Sequence, residues 1–433
     1  MPLRLSSSEA VFADAFARLV NARRDSDADV SAAVSAIIAD VAKRGDTAVI
    51  ELTRRFDRID VSPAGMALSA AEIDVACAEV PPDLMAALTL AADRIRAFHE
   101  LQRPTDQDST DAAGIRAGWR WSPVDAAGLY VPGGLASYPS SVLMNAIPAK
   151  VAGVERVVMV TPTPEGRMNP LVLAAARLAG VDNIYRIGGA QAVAALAFGT
   201  ATIAPVDKIV GPGNAYVAEA KRQLFGRVGI DMVAGPSEIL VVADAANNPA
   251  WIAADLMSQA EHDPIAQSIL ITDNVAFADA VCAEVELLIA RLPTGAIARA
   301  SWDDFGAVIV LTTLDEAIDL INALAPEHLE IATADPETLF GKVRHAGSVF
   351  LGRHTPEAVG DYIGGPNHVL PTGRRARFAS GLSVTDFMKR TTFLGCSPAG
   401  LTAVGRSAIA LAEAEGLHAH AESVRLRLED LGT

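Results

Sequence analysis

The 433-residue sequence predicts an α/β fold: two open, doubly wound, Rossmann-like parallel sheets with a helical N-terminal arm and a helical C-terminal tail. Three observations carry that expectation. From about residue 115, short β-rich runs alternate with alanine-rich stretches of helical spacing, as in strands joined by crossover helices. The alternation occurs in two series, over 128–210 and 238–352, which two sheets accommodate better than one very large sheet. Both ends of the chain carry helical patterns instead.

The first helix is expected over 7–21, with Ser6 and Glu9 as a capping box. Helices follow at 28–44, 46–56, 70–79 and 81–101, the last two broken apart by Pro81-Pro82. The first strand series is GLYVP (128–132), RVVMV (156–160), NIYRI (183–187) and DKIV (207–210). Its helices fall at about 139–152, 169–179, 190–198 and 214–225. The second series is EILVVAD (238–244), QSILIT (267–272), AVIVLTT (307–313), HLEIAT (328–333) and GSVFLG (347–352), with helices at 249–262, 276–290 and 315–324. Beyond 380 the chain is expected to be helical, with an alanine-rich segment at 403–415 and a charged end at 418–429.

Composition excludes several classes. A 51% hydrophobic content argues against disorder. No window reaches the ~18 uninterrupted apolar residues of a membrane helix. Glu9, Asp14 and Arg18 break any secretory pattern at the N-terminus, so the expectation is a soluble, cytoplasmic chain with no membrane partner. A net charge of −16 argues against nucleic acid as partner, since phosphates require a basic face. Cys77, Cys282 and Cys396 are far apart and show no CxxC spacing, so no disulfide framework is expected.

Against this aliphatic background, seven of the eight histidines lie at or after position 262, several beside carboxylates or amides. The groups are Gln259 with His262, Glu327 with His328, Asp361, and Glu415 with His420. An alanine-rich core has no need of them, and their gathering points to a bound metal beside an acid/base pair. Gln259 and His262, three residues apart near a predicted helix end, project from one face. Taken alone, a histidine interacting with the helix dipole is the better account of them, and the metal reading draws its weight from the other groups. Glu327 and His328 follow Pro326 at a helix-to-strand junction, where they could divide two proton transfers or form a solvated loop pair. The Gly/Pro-rich run 360–383 embeds Asp361, Asn367 and His368, with Asp361 as an oxygen ligand or a turn cap. GPGNAYVAEAK (211–221) sets a glycine turn between strand and helix, where backbone N–H groups can face an anionic cofactor. Tyr216, however, stands where the dinucleotide fingerprint has its third glycine. GIDMVAGPSEIL (229–240) offers a second Gly-Pro turn, with Ser237 just before a strand.

Together these segments resemble histidinol dehydrogenase over nearly the whole chain. The resemblance runs through GLYVPGGLASYPSSVLMNAIPAKVAGV (128–154), GGAQAVAALAFGT (188–200) and VDKIVGPGNAYVAEAKRQLFGRVGIDMVAGPSEILVVAD (206–244). It continues in SQAEHDPIAQ (258–267), LAPEHLEI (324–331), GDYIGGPNHVLPT (360–372), ARFASGLSV (376–384) and AEGLHAHAESV (414–424). It implies a zinc-dependent homodimer that oxidises L-histidinol to L-histidine with two successive NAD, the last steps of histidine biosynthesis. By the same resemblance Gln259, His262, Asp361 and His420 bind zinc, the last reaching in from the other subunit. Glu327 and His328 act as acid/base residues, and Tyr130, Gln191 and Asn214 contact NAD. Ser237 and Glu415 contact substrate, together with His328 and the metal ligands.

On this reading 1–24 is the arm, and 25–127 with 238–380 is a first Rossmann-like domain bearing the metal and catalytic residues. Residues 128–237 form the second, with the NAD contacts, and 381–433 a helical dimerisation tail exchanged between subunits. The alternative within the fold is a related zinc- and NAD-dependent dehydrogenase of another amino alcohol or a sulfonated diol. Retention of Ser237, Gln259 and Glu415 argues against it. A two-lobed binding protein without turnover and a metal-assisted hydrolase are the rivals from other classes.

Overall fold

The computed structural model describes residues 1–22, 30–133, 138–233 and 235–432. The chain divides into two compact units, Met1–Gln102 with Asp125–Phe387, and Arg103–Val124 with the residues from Met388 on. The expected arm boundary at residue 24 and the start of the 28–44 helix lie outside the described residues.

The larger unit holds two parallel sheets. Six strands run in the order Leu3–Ser6, Ala307–Val310, Gln267–Thr272, Glu238–Ala243, His328–Ala332 and Ser348–Leu351. Side chains alternate along a strand, so a run apolar throughout must be buried on both faces. Ile239, Val241 and Ala243 pack with Leu256, Val281 and Trp302, whereas Leu240 and Val242 pack with Leu320, Ile321 and Phe16. Helices therefore cover both faces. The second sheet orders Asn183–Tyr185, Arg156–Val160, Ala126–Tyr130, Lys208–Val210 and Gly229–Ile230. Val158, Val160 and Ile209 share a core with Val34, Val41, Val193 and Val217. The helix Pro139–Ala152 is buried nearly all round, which its unbroken apolar sequence requires.

Strand order reverses once in each sheet, between Ala126–Tyr130 and Lys208–Val210 and between Glu238–Ala243 and His328–Ala332. Such reversals open crevices beyond the carboxyl ends of the strands.

The smaller unit contains an antiparallel sheet in which Met388–Cys396 pairs along its whole length with Ile115–Pro123, flanked by Gln107–Thr110. Arg390 lies near the Trp119 and Trp121 rings, at 5.7 and 5.9 Å. Helices Pro398–Ala414 and His418–Asp430 pack where Gly405 admits Leu428 and Val424.

Two expectations are corrected. Residues 388–396 form a strand, not a helix; the strand is largely exposed, so its side chains show no apolar alternation to announce it. Ser6 ends an edge strand rather than capping a helix, its hydroxyl meets Ser8, and the helix starts at Phe12 without a side-chain cap. Pairing of Leu3–Ser6 with Ala307–Val310 overrides the local pattern. The helix Gly295–Phe305 also went unread. No single helix among the described residues is long and apolar enough to cross a membrane.

Candidate active site

His328 and Glu327 stand at the amino end of the His328–Ala332 strand, opposite the carboxyl-end crevice of the strand-order reversal. The helix Ala317–Leu324 stops at Ala325, which adopts a left-handed φ of +47° before Pro326. A non-glycine residue held there costs on the order of 1–3 kcal/mol. The sharp turn lets adjacent side chains meet before regular pleating begins: His328 Nδ1 is 3.7 Å from Glu327 Oε2.

The His328 Nδ1 lies 3.0 Å from the carbonyl oxygen of Glu238, which can only accept. Nδ1 therefore carries the proton and Nε2 the lone pair, 3.7 Å from Asp361 Oδ1. Phe350 stacks nearby, with ring centroids 6.1 Å apart. Burial, with smaller contributions from the charges of His368 and His262, pushes the imidazole down to about 3. The ring is neutral near neutral pH.

Acidic groups surround it. Glu327 Oε2 accepts the backbone N–H of Glu238 at 2.9 Å, and Glu238 Oε1 accepts that of Gly373 at 3.1 Å. Glu357 Oε1 is 3.3 Å from His328 Nδ1, and the Glu357 backbone N–H donates to Glu330 at 2.6 Å. Burial, then the charges of Asp361, Glu330 and Glu327, holds Glu357 well above the ordinary carboxyl range. Burial raises Asp361 to about 6. Behind them, Glu330 is raised by burial and by Asp255, which burial itself brings to about 6. Among the described residues no lysine or arginine ion-pairs with Glu357 or Asp361.

Gln259, fully buried in the last turn of Pro249–Ala260, places Nε2 at 3.2 Å from His262 Nδ1, while His262 keeps solvent contact. His368 bonds to the backbone of Asp361 and sits 3.5 Å from the Ser141 hydroxyl, and burial pushes its ring down to about 4. Asp361 occupies a single π-helical turn, Gly360–Gly364. Asn367 fastens this loop to the helix Pro139–Ala152, donating to the Met144 carbonyl at 2.6 Å.

These residues fit a divalent cation. Gln259 Oε1, His328 Nε2 and Glu357 Oε1 are buried polar atoms without a hydrogen-bond partner. Donor atoms of His328, Glu357 and Asp361 lie within 4.8 Å of one another. Nitrogen and oxygen donors in acidic excess suit zinc, and the helix Pro249–Ala260 ends at the site with its negative pole. Of the ligand set expected from sequence, Gln259, His262 and Asp361 belong to this unit. Glu357 was not anticipated, although its place four residues before Asp361 in a helical stretch could have signalled a shared face. Ser237 precedes Glu238 and accepts the Gln267 N–H at 3.0 Å. Glu415 and His420 belong to the smaller unit, the first just after Pro398–Ala414 and the second on His418–Asp430, both exposed.

The expected cofactor residues stand at the carboxyl edge of the five-stranded sheet. Tyr130 ends its strand, and its hydroxyl accepts the Gly189 N–H at 3.0 Å; burial pushes that hydroxyl up to about 12. Gln191 is buried in the first turn of Gly189–Phe198. Asn214 caps Ala215–Leu224, its Oδ1 accepting the Tyr216 and Val217 N–H groups at 3.1 and 3.2 Å. Gly211 has φ +109°, and a Cβ there would come within 2.2 Å of the Tyr130 carbonyl oxygen, so only glycine fits beside this strand. Two helices thus begin at the reversal of strand order, an arrangement that favours an anion.

A family model described as histidinol dehydrogenase matches residues 20–428. A histidinol dehydrogenase of Rhodospirillum rubrum is 65% identical, covering 99% of this chain and 99% of its own. One of Zymomonas mobilis is 63% identical, over 99% of this chain and 100% of its own. The crystal structure of histidinol dehydrogenase from Elizabethkingia anophelis is similar at a TM-score of 0.95 and 37% identity, over 100% of this chain and 99% of that one. With near-complete coverage in sequence and structure alike, the chain belongs to the histidinol dehydrogenase family of oxidoreductases.

Proposed function

We propose that the protein oxidises L-histidinol to L-histidine through L-histidinaldehyde, with two successive NAD reductions, as the last steps of histidine biosynthesis. The observation that carries this reading is the pairing of a neutral, tautomer-fixed His328 with Glu327 inside a buried acidic cluster. Tyr130, Gln191 and Asn214 would hold NAD. Gln259, His262, Asp361 and the partner subunit's His420 would hold zinc, with Glu357 close by. A cytoplasmic homodimer with a shared site, in which the tail 381–433 crosses between subunits, completes the proposal.

Held by Gln259, His262, Asp361 and the partner subunit's His420, zinc would supply an electrophilic anchor that orients the substrate, and NAD would supply the hydride acceptor. The chain's own groups move the protons. His328 Nε2 takes the alcohol proton as the carbon loses its hydride, giving the aldehyde. Its Nδ1–H stays on the Glu238 carbonyl, and the neighbouring carboxyl groups favour the imidazolium that forms. Glu327 then takes a proton from water as the oxygen adds to the aldehyde carbon, and the His328 imidazolium returns its proton to the aldehyde oxygen, giving the hydrate and a neutral His328. The hydrate loses its remaining C–H hydride while His328 takes a hydroxyl proton, leaving the acid. None of the three cysteines belongs to the site described, so water and not a thiol attacks the aldehyde.

The test is NADH formation from L-histidinol and L-histidinaldehyde, compared with other amino alcohols and a sulfonated diol. Turnover of both imidazole substrates is expected. Preference for another alcohol, or none for any, would overturn the reading.

A further inference from the structure

We propose that the buried Lys221–Asp231 ion pair is the positioning element of the cofactor-side turn, and that its internal neutrality keeps the crevice open to an anion. The inference rests on the assignment of NAD to Tyr130, Gln191 and Asn214.

The Lys221 and Asp231 side chains form a direct ion pair with only 4% and 2% exposure. Both grip one residue. Lys221 Nζ donates to the Gly211 carbonyl at 3.0 Å, and Asp231 Oδ2 accepts the Gly211 N–H at 2.8 Å. The second Asp231 oxygen also accepts the Met232 N–H at 2.7 Å. Gly211 is thus clamped on both sides in its left-handed conformation, against the backbone of Tyr130.

This clamp changes how the turn can meet a nucleotide. In a dinucleotide-binding glycine loop, free backbone N–H groups receive the pyrophosphate. Here the Gly211 N–H is consumed by Asp231, and Pro212 has none. Asn214 spends Oδ1 on its helix, so that its Nδ2 amide is the group of this side chain left to offer a ligand a donor. The aim of that amide depends on a turn that the ion pair holds from beneath.

Charge then sets an order among variants. Lys221→Met strands a carboxylate under a crevice that takes an anion. Asp231→Asn leaves a cation there and still offers an oxygen to Gly211. The double variant is neutral.

The experiment is NAD binding by fluorescence titration, with KM for NAD and for L-histidinol, on the zinc-loaded full chain. Lys221→Met should weaken NAD by about tenfold or more. The double variant should recover part of that loss, and Asp231→Asn should bind NAD more tightly than the double. KM for histidinol should change by less than about threefold in all. Should Lys221→Met fail to fold, the ranking of Asp231→Asn above the double still decides. Lower melting temperatures with unchanged NAD affinity, or equal loss for both substrates, would overturn the proposal, as would identical values for the two folded variants. Asn214→Ala and Tyr130→Phe separate the two failures. If they weaken NAD and the pair variants do not, the positioning role alone falls; if they too leave NAD untouched, the cofactor assignment falls with it.

Discussion

The Nδ1–H of His328 donates to the backbone carbonyl of Glu238 at 3.0 Å, so the tautomer of the proposed base is set by a strand that cannot rotate away. The Glu238 N–H holds Glu327 at 2.9 Å. The backbone of one residue, Glu238, therefore orients both members of the acid/base pair.

Replacing His328 by Asn should remove the base while keeping a donor toward Glu238. Both half-reactions should fall by about 10²–10⁴-fold, the usual worth of a positioned base. Rapid-mixing measurement of NADH from histidinol and from histidinaldehyde checks this, with NAD affinity expected to stay unchanged.

Glu327→Gln should slow the aldehyde step much more than the alcohol step, because only the former needs a proton taken from water. Histidinaldehyde should then accumulate during histidinol oxidation. Equal losses in the two steps would remove Glu327 from this role.

Cation affinity should depend on pH through Asp361, raised by burial to about 6. Below that value the carboxyl holds a proton that a cation must displace. Zinc affinity should fall by about tenfold per pH unit for each such proton as the solution is acidified. Glu357, also raised, works in the same direction. Competition with a chelator at several pH values measures the slope; a flat profile through pH ~6 would contradict it.

Gly211→Ala should destabilise the fold by about 2 kcal/mol or more, since it combines a left-handed residue with a backbone clash. The clash is with the Tyr130 carbonyl oxygen. Thermal melting tests it, and a variant as stable as the parent would show that the turn relaxes freely.

If the site is shared between subunits, His262→Ala and His420→Ala are each inactive alone. Subunits mixed in equal amounts should recover about a quarter of the parental activity, because half the dimers carry one intact site. No recovery would place His420 in its own subunit's site or in none.

Much of the fold was legible because its strands are buried on both faces. RVVMV and QSILIT read directly as the strands Arg156–Val160 and Gln267–Thr272, since unbroken β-branched runs have few other fates. Pro326 marked the junction that presents Glu327 and His328. The strand Met388–Cys396 was hidden because its pairing with Ile115–Pro123, not burial, stabilises it. Glu357 was missed for another reason: its four-residue spacing from Asp361 was the one signal in the sequence, and the fold is what brings Glu330 and His328 against it. Lys221 and Asp231, ten residues apart in sequence, carry no pattern that announces their pairing, which the turn between them creates.

The most direct test of the account is the number of NADH formed per L-histidinol consumed by the chelated protein, before and after zinc is restored. The account predicts almost none without metal and two per substrate once zinc returns, with L-histidine as product. A single NADH with aldehyde left over, or turnover indifferent to zinc, would contradict it.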